Sequence, residues 1–105
     1  MKTMTMQALK DQLTHLAQGE VVLDVRSPEE FSEGHIAGAR NIPHDEVLSH
    51  VEELKKFKTV FVHCHAGGRA QVAAMDLESA GLTNLVCIPG SGMRDWLAAG
   101  FPVTR

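Results

Sequence analysis

The sequence predicts an α/β protein built on a mainly parallel sheet with helices on both faces, and three observations predict it. Short apolar runs alternate with segments of helical spacing along the chain. The runs "EVVLDV", "TVFVH" and "NLVCI" are apolar at consecutive positions, as strands covered on both faces are. The chemically richest stretch, "HCHAGGRA" at 63–70, falls directly between one such run and a helical segment. Open α/β sheets bind their ligands there, outside the carboxyl ends of the strands.

Each element has a local reason. Thr5 caps a first helix with Leu9, Leu13 and Leu16 on one face, and Gly19 ends it. "EVVLDV" is the first buried strand. In "SPEEF", Ser27 is the cap, Pro28 stands where its missing N–H is harmless, and Glu30 completes a capping box. That short helix stops at Gly34. "ARNIP" is a brief extended segment ending at Pro43, and "HDEVLSHVEELKKF" is helical by the spacing of Val47, Leu48, Val51 and Leu54. After the strand "TVFVH", a helix from Arg69 places Ala70, Ala73, Ala74, Leu77 and Ala80 on one face and closes at Gly81. "NLVCI" is the last strand, and Ser91 caps a final helix running through Trp96 to Gly100. Trp96 and the five methionines read as packing residues.

Composition bounds the function. The 105 residues are expected to form one domain, 1–105, and 44% hydrophobic with 22% charged residues is ordinary globular usage. A formal charge of −3, with no basic cluster beyond "KKFK", gives no reason to expect a nucleic-acid partner. No apolar run approaches the roughly 20 residues of a membrane span, so no membrane partner is expected. The N-terminus turns charged too early for a secretory leader, and two cysteines then read as free thiols in a reducing cytoplasm.

Cys64 decides the chemistry. Gly67 and Gly68 let backbone N–H groups turn inward, and the following helix N-terminus adds its partial positive charge. Successive inward amides make an anion cradle. A thiol in that field, with Arg69 behind it, is expected to be thiolate-rich at neutral pH and to act as a nucleophile. A buried structural thiol needs neither the glycines nor the arginine. A metal site is not expected, because His63 and His65 face away from Cys64 on an extended chain and no paired-ligand spacing occurs. No cofactor is implied.

This loop, with "VVLDVRSPEEFSEGHIAGARNIP" upstream and "GMRDWLAAGFPV" downstream, resembles the single-domain rhodanese sulfurtransferases from about Leu9 to Val103. The resemblance implies a small α/β domain around a parallel five-stranded sheet. It also implies that Cys64 attacks a sulfane sulfur, holds it as a persulfide and passes it to a thiol or cyanide. His65, Ala66, Gly67, Gly68 and Arg69 then form the substrate-binding loop. Arg69 either orients the loop or binds an anionic donor, and His65 either adds partial positive charge or faces solvent. Thiosulfate, glutathione persulfide and a protein persulfide all remain open as donor partners.

Asp24 and Arg26 of "DVR" are expected to tie loops together, His35 to be a packed histidine, and Cys87 to be an inert thiol, with a resolving cysteine as the alternative. Two positions depart from the family: Ala37 stands where relatives have proline, and Gly90-Ser91 replace an acid and a glycine beside the pocket. Two other functions compete. A phosphatase or arsenate reductase would use the same cradle, but cysteine phosphatases place five residues between Cys and Arg, and only four separate Cys64 from Arg69. A non-catalytic interaction module usually lacks the cysteine.

Overall fold

The computed structural model describes residues 1–105. Five strands, β1 (Lys2–Thr3), β2 (Glu20–Asp24), β3 (Arg40–Asn41), β4 (Thr59–His63) and β5 (Leu85–Cys87), form one sheet. Their spatial order is β1-β5-β4-β2-β3, and every pairing is parallel. Helices α1 (Met6–Leu13), α2 (Pro28–Glu33), α3 (Val51–Leu54), α4 (Gly68–Ser79) and α5 (Met93–Ala98) connect and follow the strands. The expected α/β class and five-stranded parallel sheet are what the chain forms. No helix is long and apolar enough to cross a membrane.

Alternation along the strands sorts their side chains into two cores. Val21, Leu23, Val60, Val62 and Cys64 cluster with Leu54 of α3 and with Ala70, Ala73, Ala74 and Leu77 of α4. Val22, Phe61 and Val86 cluster with Met6 and Leu9 of α1 and Met93 and Trp96 of α5. Each face has its own helical cover, which is why the central strands are apolar at consecutive positions, 21–23 in β2 and 60–62 in β4. Fully buried leucines such as Leu23 and Leu77 each stabilise the fold by about 2–5 kcal/mol relative to alanine.

Several boundaries differ from the sequence expectation. α1 stops at Leu13, where the Thr14 hydroxyl donates to the Asp11 carbonyl; Leu16 still packs on the core from the following turn. The segment expected to be helical from His44 to Phe57 is a 3-10 turn at Val47–His50 followed by the single turn of α3. Its end is decided from outside, since the Asn84 amide donates to the Leu54 and Phe57 carbonyls. Ser91 does not cap α5. Gly92 occupies that position, its N–H donating to Asp95 Oδ2 at 2.9 Å, while Ser91 Oγ accepts the Met6 N–H of α1 at 3.2 Å. β1 had no sequence signal, being two exposed residues paired to β5. Met6 and Met93 are core residues as expected, but Met1 and Met75 are exposed.

Candidate functional site

The site begins where β4 ends. After His63 the chain turns through Cys64 and enters α4 at Gly68. The N-cap residue of α4, Gly67, has no side chain with which to satisfy the first-turn amides. Cys64 Sγ fills that role, accepting from the Gly67 N–H at 3.1 Å and the Ala70 N–H at 3.3 Å. The sulfur therefore sits against the positive end of a 12-residue helix.

Two glycines explain how the loop holds this shape. Gly67 adopts φ +110, and a Cβ there would lie 2.2 Å from the Gly90 nitrogen. A Cβ on Gly92 would lie 2.2 Å from the Cys64 carbonyl oxygen. The Cys64 and His65 carbonyls accept from the Met93 and Arg94 N–H groups at the start of α5. The "PGSG" segment thus packs directly against the Cys64 loop, and Gly90 supplies part of its floor.

The other singled-out residues fall as follows. His65 and Ala66 are exposed, Gly67 is buried and Gly68 is exposed. Arg69 reaches back to α2, with Nη1 donating to Glu30 Oε1 at 2.6 Å and Nη2 to Glu30 Oε2 at 3.0 Å. The same Glu30 Oε1 accepts from the Ser27 N–H, closing the expected capping box. The Arg69 guanidinium, against opposing desolvation, holds the Glu30 carboxyl down to about 2, and Ser27 assists.

Asp24, Arg26 and His63 are all buried. Arg26 grips Asp24 through Nε and Nη2, and Nη2 also donates to the Gly34 carbonyl at 2.8 Å. Asn41 Nδ2 donates to the Asp24 and Arg26 carbonyls. This is the loop-tying role expected of "DVR". His63 lies on the opposite face from Cys64, and burial pushes its imidazole below the usual histidine range. It is neutral, so the 3.8 Å approach of its Nε2 to Asp24 Oδ2 is not an ion pair. His35 stacks on Phe31 with centroids 3.6 Å apart and bonds the Phe31 carbonyl, a packed histidine as expected. Cys87 is buried, and burial pushes its thiol up.

A cavity of about 650 Å³ opens at the amino ends of β4 and β5, between Lys58, Thr59, Glu78 and Asn84, and neither cysteine lines it. A smaller depression of about 210 Å³ adjoins the Cys64 loop and is lined by Arg26, Glu30, Glu33, Gly34, His65 and Leu97. Of these two, only the smaller one brings a residue of the Cys64 loop, His65, together with the charged groups Arg26, Glu30 and Glu33.

A parallel sheet that seats a cysteine on helix-start amides at its carboxyl edge defines a class of thiol-bearing α/β domains. Within that class, the rhodanese-like domain model matches residues 5–99, and the chain belongs to that family. It is 36% identical over 102 residues to Thiosulfate sulfurtransferase 16, chloroplastic, of Arabidopsis thaliana, covering 83% of this chain and 82% of that protein. It is 36% identical over 98 residues to Protein HIGH ARSENIC CONTENT 1, mitochondrial, of the same plant, covering 82% of this chain and 57% of that protein. Two Bacillus subtilis relatives, 36% and 37% identical over 75 residues, are longer, and the chain spans 40% and 59% of their lengths. Among solved structures, a rhodanese-related protein from Thermoplasma volcanium superposes with a TM-score of 0.83 at 32% identity, covering 99% of this chain and 98% of that one.

The Glu30–Arg69 pair has a consequence for acid stability. A carboxyl lowered on folding stabilises fully above its unfolded value of 4.5, and that stability is lost as pH falls toward 2. Both side chains are about one-third exposed, so the contribution is no more than about 1 kcal/mol. Urea midpoints measured from pH 5 to pH 2 should fall less steeply for Glu30→Gln than for the wild type; parallel curves would show that the pair adds nothing.

Proposed function

We propose that this protein is a sulfurtransferase in which Cys64 carries the sulfur. The Cys64 thiolate attacks the outer sulfur of thiosulfate, a Cys64 S–S bond forms, and sulfite leaves with the electron pair of the broken S–S bond. The resulting Cys64 persulfide anion then gives its terminal sulfur to cyanide, releasing thiocyanate, or to a thiol R–SH. In the thiol case R–S–SH forms and Cys64 departs as thiolate, so charge and protons balance. A persulfide R–S–SH serves as donor by the reverse of that step. His65, Ala66, Gly67, Gly68 and Arg69 make up the binding loop around the transferred sulfur.

The observation that carries this reading is the pair of N–H donors on Cys64 Sγ, from Gly67 and Ala70. Such donors suit an anionic sulfur better than a protonated one, so the nucleophile needs no general base. The names of the relatives support the same chemistry. Against a phosphatase or arsenate reductase stands the loop's length: four residues between Cys64 and Arg69, with the guanidinium already engaged by Glu30, leave little room for a tetrahedral oxyanion.

The test runs thiosulfate and an aryl phosphate side by side on the wild type and Cys64→Ser. We expect Cys64-dependent thiocyanate formation from thiosulfate and cyanide, and aryl phosphate hydrolysis no faster than that of the variant. Cys64-dependent phosphate release at a rate comparable to sulfur transfer would overturn the assignment.

A further inference from the structure

We propose that Glu30 sets the charge preference for the sulfur donor, by occupying the guanidinium of Arg69 and thereby disfavouring dianionic donors relative to donors of lower charge. The inference rests on the sulfur-transfer reading of Cys64 and assigns that site its donor class.

Arg69 is the one cation within the Cys64–Arg69 segment apart from a histidine. A free guanidinium there would reward a dianion most, through paired charge-assisted hydrogen bonds. Each terminal nitrogen of Arg69 instead donates to a Glu30 oxygen, at 2.6 and 3.0 Å, so the guanidinium charge is already paired with a carboxylate. The depression beside the loop offers no substitute. The one arginine in its lining, Arg26, is held by Asp24 and the Gly34 carbonyl, and Glu33 joins Glu30 there as a second carboxylate. An incoming dianion must displace Glu30 or bear its repulsion, and a monoanion bears about half of that.

The charge on Glu30 is not required by α2. A capping box needs an acceptor oxygen at its third helical position, and glutamine supplies one as well as glutamate. Ser27 N–H and Ser27 Oγ both address the single oxygen Oε1 at 3.1 Å, so an amide oxygen there preserves both contacts. Glu30→Gln therefore separates the carboxylate's charge from its structural bond.

The experiment compares thiosulfate, a dianion, with methanethiosulfonate, which replaces one anionic oxygen by a methyl group. In each case the thiolate takes the outer sulfur, and sulfite or methanesulfinate leaves with the electron pair. Uptake of one sulfur atom on Cys64 is followed by intact mass. Glu30→Gln is expected to raise kcat/KM for thiosulfate roughly fivefold, through KM, the scale of one partly screened charge contact. Methanethiosulfonate should move by only about twofold, and the difference should shrink with added salt. Combining Glu30→Gln with Arg69→Gln should return thiosulfate to the wild-type level or below, which a purely structural role for Glu30 would not produce. On the wild type itself, sulfate should inhibit thiosulfate use no better than methanesulfonate at equal ionic strength. Equal changes for both donors, or strong selective inhibition by sulfate, would sink the inference while the sulfur on Cys64 upheld the transfer reading. No added sulfur on wild-type Cys64 from either donor would overturn both.

Discussion

Replacing Cys64 by serine is expected to lower sulfur transfer by at least about a thousandfold, the scale on which a lost nucleophile registers, while the fold survives. The expectation of an intact fold is specific. Cys64 is 1% exposed, yet its environment is not purely apolar, because the Gly67 and Ala70 amides address the side chain. A serine hydroxyl accepts both bonds, so the first turn of α4 stays capped and stability should change by no more than about 1 kcal/mol. Alanine would leave both amides without an acceptor and should destabilise more than serine does. Cys87 offers no detour: it is buried at the end of β5, and its thiol is held protonated at neutral pH by burial first and by Cys64 second. Intact mass after donor treatment, followed by peptide mapping, locates the sulfur. A persulfide on Cys87 in an active Cys64→Ser protein would falsify the assignment.

The two loop glycines should respond very differently to alanine. At Gly67, a side chain meets both a left-handed backbone, φ +110, and the Gly90 nitrogen at 2.2 Å. Strain and collision together should cost roughly 3 kcal/mol or more, and relief requires moving the amide that addresses Cys64. Gly67→Ala should therefore lose both stability and sulfur transfer. At Gly68 a Cβ meets nothing within 4 Å and the backbone is already helical, so Gly68→Ala should stay within about 0.5 kcal/mol of the wild type. Urea unfolding of the two variants decides the matter. Similar losses at both positions would mean that the loop does not rest on Gly90 as described.

That contrast marks how far the sequence could be read. "GG" identified a loop whose amides turn inward, since two adjacent glycines at a strand–helix junction have few other uses. Which glycine was indispensable depended on Gly90, 23 residues downstream of Gly67, whose approach has no local signature. Ser91 failed for a related reason. Its position before a helical run is a capping signal, but Gly92 and Asp95 met that need, and the hydroxyl turned to the Met6 amide of α1. Glu30 was legible as a capping residue because Ser27 lies three positions away; its pairing with Arg69, 39 positions away, was not.

By itself, the sequence determined the α/β class, the parallel sheet, the caps of α1 and α2, the position of Cys64 at a strand's carboxyl end, and the resemblance to the rhodanese family. These follow from interactions within a few residues, or from runs of apolar side chains whose burial has few solutions. Only the tertiary structure decided that Cys64 caps α4, that Gly92 and Gly90 brace its loop, that His63 is fully buried, and that Arg69 is already paired. Such contacts join segments that lie far apart in the chain. Their distances are set when two cores close on opposite faces of one sheet, and no spacing within a single segment encodes them.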